Sequence, residues 1–273
     1  MEIVTHQGRV TAYRFVGSGG ARAPEEGETG GAGVDRGICY VHGSGGSHRL
    51  WARQFGPDAP ARPAVALDLS GHGESDDVDT VAGPATLEAY ADDLVAVAEA
   101  TGTRVLVGNS LGGAVVQHVL LERALPVDGA VLLGSGAKLA VLEELRAWLA
   151  ADFETAVEFL HGPDRLFHDP DPKLLERSKA EMRATGRAVT ERDFLTAHAF
   201  DGRDRLGEIS VPVLAVVGEH DQLTPPRYHE YLATEIPDGR LETVADAAHL
   251  AMLERPGAVN EAIGGYVASI ASD

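Results

Sequence analysis

The residues best suited to chemistry are Gly108-Asn109-Ser110-Leu111-Gly112, a serine with a glycine two positions away on either side. The preceding Val105-Leu106-Val107 is short and apolar, as a buried strand would be, and residues 111–121 carry a helical pattern. A serine between the end of a strand and the start of a helix is held in a strained bend. A Cβ on either flank would meet strand or helix, hence the glycines. The bend lifts the Ser110 hydroxyl clear of the sheet. It also sets the Leu111 N–H at a helix start, where it can donate to an oxygen that is gaining negative charge. A serine hydroxyl alone is a poor nucleophile near neutral pH, so the bend calls for a base supplied from elsewhere. The chemistry indicated is acyl transfer through a covalent intermediate.

The elements that must position this serine are legible as alternating apolar runs and helical stripes. Strands are expected at residues 2–5, 10–16, 38–41, 64–69, 105–107, 130–133 and 213–217, and helices at 87–99, 111–121 and 258–270. Short apolar strands alternating with helices predict a doubly wound, mostly parallel α/β sheet. Residues 17–37, rich in Gly, Glu and Ala, read as a flexible loop between strands. The alternation stops between 137 and 207. There Val141, Leu142, Leu145, Trp148 and Leu149 form one helical stripe, Phe153, Val157 and Leu160 suggest another, and Pro163, Pro170 and Pro172 break the pattern. A helical lid over residues 137–207 is expected, inserted into a core made of 1–136 and 208–273.

Composition narrows the function further. Forty-two acids against 23 bases give a net charge of −19, and only Lys138, Lys173 and Lys179 are lysines. So acidic a surface repels nucleic acid and anionic membrane, and neither is expected as a partner. Scarce lysine with excess acid also suggests a protein whose self-repulsion is screened by molar salt, as in salt-loving organisms. The single Cys39, within an apolar run, reads as a buried small hydrophobe. No apolar run approaches the length of a membrane span and no secretory leader is evident, so a cytoplasmic location is expected. No His or Cys pair has zinc-ligand spacing and no glycine-rich segment carries G-K-[ST], so no metal and no cofactor is expected.

Four motifs in order give the chain its family resemblance. His42-Gly43-Ser44-Gly45-Gly46 follows a strand, and Asp68-Leu69-Ser70-Gly71-His72-Gly73-Glu74-Ser75 follows the next. The Ser110 bend is third. Val217-Gly218-Glu219-His220-Asp221 and Ala247-Ala248-His249-Leu250 close the series. With these, the whole chain resembles the α/β-hydrolase family, whose fold is an eight-stranded sheet with an inserted helical cap. The resemblance implies a triad of Ser110, Asp221 and His249 in the family's chain order. By the same match the Ser44 and Leu111 N–H groups form the oxyanion hole, with Gly45 as a neighbouring possibility for the first. Asp246 is the alternative acid. Of the other histidines, His42 is expected to shape its loop, His72 and His220 sit beside turn glycines, and His118 lies in the helix after the serine.

The resemblance implies hydrolysis of a small-molecule substrate, a small carboxylic ester or lactone. Trp148, Phe153 and Phe159 could line an acyl pocket or pack the lid's own core. No basic cluster in the lid announces an anionic substrate. One alternative is hydrolysis of a carbon–carbon bond in a vinylogous diketone acid. There Gly46 stands where proline is usual, and Arg183, Arg187 or Arg192 would have to bind the carboxylate. Another is a ligand-binding protein of the same fold with negligible turnover. Oligomeric state is not readable from the sequence.

Overall fold

Strand residues alternate between two apolar layers, and this alternation builds the molecule. The computed structural model describes residues 1–17, 37–56 and 59–271, so nearly all of the expected loop at 17–37 lies outside the described residues. The sheet begins with β1 (Glu2–His6) and β2 (Arg9–Val16). In β3 (Ile38–Val41), Cys39 and Val41 pack on one face while Ile38 and Tyr40 pack on the other. The same division runs through β4 (Ala64–Leu67), β5 (Val105–Asn109), β6 (Gly129–Leu133) and β7 (Val213–Gly218), every residue of which is buried. Successive side chains point to opposite faces, so a strand covered on both sides must be apolar throughout. The last strand, β8 (Gly239–Val244), is an edge strand with only Val244 buried. Its polar Arg240, Glu242 and Thr243 explain why no apolar run betrays it.

The strand order is β1-β2-β4-β3-β5-β6-β7-β8, and β2 alone runs against both its neighbours. The expected eight-stranded, mostly parallel sheet is what the chain forms. Beside β3 lie β4 on one side and β5 on the other. The segment after β3, a 3-10 turn at His48–Gln54, buries Trp51 against one face of the sheet. The helix after β5, α2 (Leu111–Glu122), packs on the opposite face beside α1 (Pro84–Thr101). Where connections diverge in this way, a crevice opens at the carboxyl ends of the two strands.

Between β6 and β7 the chain inserts α3 (Glu143–Ala151), α4 (Phe153–Leu160), α5 (Pro172–Thr185) and α6 (Arg187–Ala199). The first two follow the apolar stripes in part: Leu145, Leu149, Val157 and Leu160 are buried, with Ala156 beside them, whereas Val141 and Leu142 precede α3 and Leu142 is exposed. The second two carry no apolar stripe, for different reasons. Only Met182 of α5 is buried, and α6 turns Thr190, Asp193, Thr196 and Ala197 inward. Pro172, which interrupts the pattern in sequence, in fact starts α5, where its missing N–H costs nothing and Asp171 caps the Lys173 N–H at 2.8 Å. After β7 come α7 (Pro226–Glu235), the short α8 (Ala251–Glu254) and α9 (Pro256–Ile270). No helix among the described residues is long and apolar enough to cross a membrane.

Candidate active site

Ser110 occupies the bend between β5 and α2 with φ 55° and ψ −117°, a conformation that costs an L-residue energy. The flanking glycines are steric necessities. A Cβ on Gly108 would lie 2.3 Å from Gly112 O, and one on Gly112 would lie 2.5 Å from Val41 O. The bend is pinned to the neighbouring strand: Ser110 N and Asn109 Nδ2 each donate to Leu133 O at 3.1 Å. Leu111 opens α2, so its N–H has no helical acceptor, and no described residue accepts from it.

The loop after β3 brings a second free N–H to the same crevice. The buried His42 accepts the Leu69 N–H on Nε2 at 3.1 Å, so its proton sits on Nδ1, which donates to Gly43 O at 2.8 Å. Burial pushes the His42 imidazole down to about 4, which keeps this ring neutral. Gly43 O also accepts from Gly46 N at 3.1 Å. The Gly43 carbonyl and the Ser44 N–H belong to one trans peptide and point opposite ways, so fixing the oxygen aims the N–H. Among the described residues nothing accepts from Ser44 N, whereas Gly45 N is spent on Asp193 Oδ2 at 2.9 Å. The loop therefore offers the Ser44 N–H and withholds that of Gly45.

His249 follows β8 and Asp221 follows β7, and the two meet at 2.9 Å between Nδ1 and Oδ2. Asp246, the other acid considered, makes no contact with the His249 ring; its backbone N–H donates to Glu219. Asp221 is almost wholly buried and accepts the Leu223 and Thr224 N–H groups on Oδ1 at 2.8 and 2.9 Å. Burial pushes its carboxyl up, but the facing His249 and the hydrogen bonds from His249 and Thr224 outweigh this and hold it below the usual range. Thr224, which sequence reading passed over, places its hydroxyl 2.8 Å from Asp221 Oδ2 and 3.2 Å from His249 Nδ1. The signal for it was its position three residues after the acid, where a turn must bring it back.

Ser110 and His249 both line a cavity of about 910 Å³, together with Ser44 and Thr224. No hydrogen bond joins His249 to Ser110. Phe159 lines the cavity as well; Trp148 and Phe153 do not, and pack against the apolar layer that the insertion shares with one face of the sheet, with the Trp148 ring 5.1 Å from that of Phe159. Leu145, Leu174, Met182, Phe194 and Leu223 supply further apolar wall.

The wall also holds an unexpected positive charge. Six cations line it against four carboxylates, in a chain where acids outnumber bases 42 to 23. Arg53 from the 3-10 turn and Lys173 and Arg177 from α5 have no acidic partner among the described residues. Within the lid only Lys173 and Arg177, one turn apart on α5, contribute to this charge; Arg53 joins them from a segment more than a hundred residues away. Arg183, Arg187 and Arg192 are occupied elsewhere: with Glu154 and Glu158, with Ala150 O, and with Asp77 and Val78 O.

The only three-ligand clusters among the described residues lie outside the cavity. Asp164, His168 and His220 bring ligand atoms within 4.8 Å of one another, and Glu219, His220 and Asp246 do likewise. The His168 and His220 rings stack 3.7 Å apart at an interplanar angle of 11°. Two imidazoles on one tetrahedral ion must converge, so parallel stacked rings are poorly set to share it.

Known proteins place the chain in context. A sequence profile described as "Alpha/beta hydrolase family" matches residues 40–262. A pimeloyl-[acyl-carrier protein] methyl ester esterase of Neisseria meningitidis is 30% identical over 232 residues, covering 79% of this chain and 87% of the relative. Among solved structures, a thermophilic esterase superposes with a TM-score of 0.82 at 27% identity, over 98% of this chain and 97% of the other. An N-acyl homoserine lactone degrading enzyme gives 0.81 at 27% identity, over 97% and 100%. With the profile spanning most of its length, this chain belongs to the α/β-hydrolase family and is an enzyme resembling the carboxylic ester hydrolases of that family.

Proposed function

We propose that the chain is a serine hydrolase of small esters or lactones, with Ser110 as nucleophile, His249 as base, and Asp221 orienting the ring. The observation that carries the reading is the buried His249–Asp221 pair opening on the same cavity as a serine held in a strained bend. Ser110 Oγ attacks the ester carbonyl while His249 Nε2 takes its proton. The carbonyl oxygen becomes an anion facing the Ser44 and Leu111 N–H groups. His249 returns the proton to the departing alcohol, leaving Ser110 acylated. Water, deprotonated by the same ring, then attacks the acyl group and frees the acid and Ser110. The His249–Ser110 link must close when substrate enters, as such contacts commonly do on forming the complex.

The helices over residues 137–207 act in this reading as a cap that roofs the cavity. Apolar wall with an unpartnered cationic rim favours an ester whose acyl or alcohol portion carries a negative charge away from the scissile carbonyl. The carbon–carbon alternative loses its nominated arginines, all of which are bound elsewhere.

A serine-directed phosphonate read by intact mass tests the chemistry. The native chain is expected to gain one adduct and Ser110→Ala none; failure of the native chain to label would leave a ligand-binding protein instead. For the substrate, a neutral nitrophenyl ester is compared with its analogue bearing a terminal carboxylate. A lower KM for the charged ester, abolished in Lys173→Glu/Arg177→Glu and weakened by salt, is expected. Equal KM values would remove the anionic preference.

A further inference from the structure

The insertion does more than cover the cavity: it grips the loop that carries the Ser44 N–H. Asp193, on α6, is fully buried and accepts the Gly45 N–H at 2.9 Å, the Tyr90 hydroxyl at 2.6 Å and His72 Nε2 at 2.8 Å. Thr185, at the end of α5, donates its hydroxyl to Gly45 O at 3.1 Å. Ser47 Oγ donates to Glu181 on α5. Gly45 itself has φ 68° and sits against Thr190, whose hydroxyl would lie 3.2 Å from a Cβ there. Thr190 and Asp193 are one helical turn apart, so a single face of α6 meets the loop.

The loop thus has two anchors of different origin. His42 fixes the Gly43 carbonyl from the sheet, and Asp193 with Thr185 fixes the next peptides from the insertion. Ser44 lies between them. Its N–H is aimed by the Gly43 carbonyl, and the second donor to that carbonyl, Gly46 N at 3.1 Å, belongs to the Gly45–Gly46 peptide whose oxygen Thr185 holds.

We infer that Asp193 is a positioning residue for the oxyanion hole, and that seating of the helical insertion and alignment of the Ser44 N–H are one event. Lifting α6 together with the end of α5 withdraws the Asp193 acceptor from the Gly45 N–H and the Thr185 donor from its carbonyl, and frees the loop to turn the Ser44 peptide. Water entering an open cavity then meets a serine without a complete oxyanion hole. This rests on the serine-hydrolase reading above, in which Ser44 stabilises the developing charge.

A trifluoromethyl ketone tests it, because its adduct with Ser110 is an oxyanion whereas a bound ester is not. In Asp193→Ala we expect the inhibitor Ki to rise and kcat per phosphonate-titrated site to fall together, by roughly 30- to 100-fold, with KM changed by less than about threefold. Asp193→Asn keeps an oxygen for Gly45 N–H and should restore most of the loss, leaving a deficit of about three- to tenfold. Thr185→Val should weaken the ketone by about threefold. A purely structural role would lower the number of titrated sites without moving Ki. Should Asp193→Ala fail to fold, the Asn and Val variants carry the test alone. An active, labelled native chain whose variants keep native Ki and kcat per site overturns this inference only. A native chain that neither turns over nor labels overturns the serine-hydrolase reading as well.

Discussion

Among the described residues two buried histidine–carboxylate pairs lie, His249–Asp221 at 2.9 Å and His72–Asp193 at 2.8 Å, and only one is fitted to be a base. The difference lies at the second ring nitrogen. His72 turns Nδ1 to two carbonyls, Leu69 O at 3.3 Å and Ser70 O at 3.2 Å, which can only accept. With acceptors on both nitrogens, His72 holds two protons. Burial pushes its pKa down, but the Asp193 charge and these hydrogen bonds outweigh that and raise it. His249 has its acceptors on Nδ1 alone, which leaves Nε2 available to take a proton. A short His–Asp distance is therefore no signature of catalysis. What matters is a ring with one satisfied edge and one edge open to a cavity.

Substitutions in the two pairs should therefore give opposite phenotypes. His249→Gln should lower kcat by about 10⁴-fold or more while leaving the thermal midpoint within a few degrees. His72→Gln strands the Asp193 charge in the interior, at a cost on the order of 3–5 kcal/mol, or roughly 10 °C in midpoint. Its kcat per titrated site should fall far less, by about tenfold at most. Calorimetry and steady-state rates on both variants decide the matter. Similar losses of rate in the two would erase the distinction between a working and a bracing pair.

The two pairs also differ in how far the sequence exposes them. Strands β3 to β7 are apolar at nearly every position because both faces are covered, and the residues that follow them, Ser44, Ser110 and Asp221, can be counted off their ends. His249 follows β8, whose exposed polar residues conceal the strand; it is legible only through the motif around it. Asp193 leaves no such trace. It belongs to a polar stripe, Thr190, Asp193 and Thr196, that α6 turns inward, and apolar periodicity is blind to a buried polar face. That spacing was the available signal. The cationic rim is hidden for another reason: Arg53 and Arg177 are neighbours of one cavity only after folding.

Acid should separate the buried histidines from their surroundings. Burial pushes His42, and His229 on α7, whose Nε2 accepts the Ser135 N–H at 2.9 Å, down to about 4 from an ordinary value of 6.5. Between those limits the unfolded chain binds protons that the folded chain refuses, so stability is lost as pH falls through that window. Each contributes about 3 kcal/mol at its full extent. His72 behaves oppositely. Its raised value makes its contribution complete below 6.5 and lost only as pH rises through its folded value, so it adds no slope in this window. Asp193, held low despite burial by His72 and Tyr90, keeps its contribution until pH falls further, through its own depressed value. The thermal midpoint should thus decline steadily from pH 6.5 to 4. A level profile over that range would mean that His42 and His229 take protons freely in the fold.

Salt acts on the remaining, surface part of the charge. We propose that the excess of 42 acids over 23 bases repels itself across the surface and is relieved by counter-ions. Raising KCl from about 0.05 M to about 2 M shortens the screening length from roughly 14 Å to near 2 Å, less than the spacing of neighbouring surface charges. The midpoint of the native chain should rise by several degrees. The His72–Asp193 pair, buried on both sides, is screened little, so His72→Gln should rise in parallel and keep its full deficit. A deficit that closes in salt would place that pair in contact with solvent. A native midpoint that does not rise at all would show that the acidic surface carries no net repulsion to be relieved.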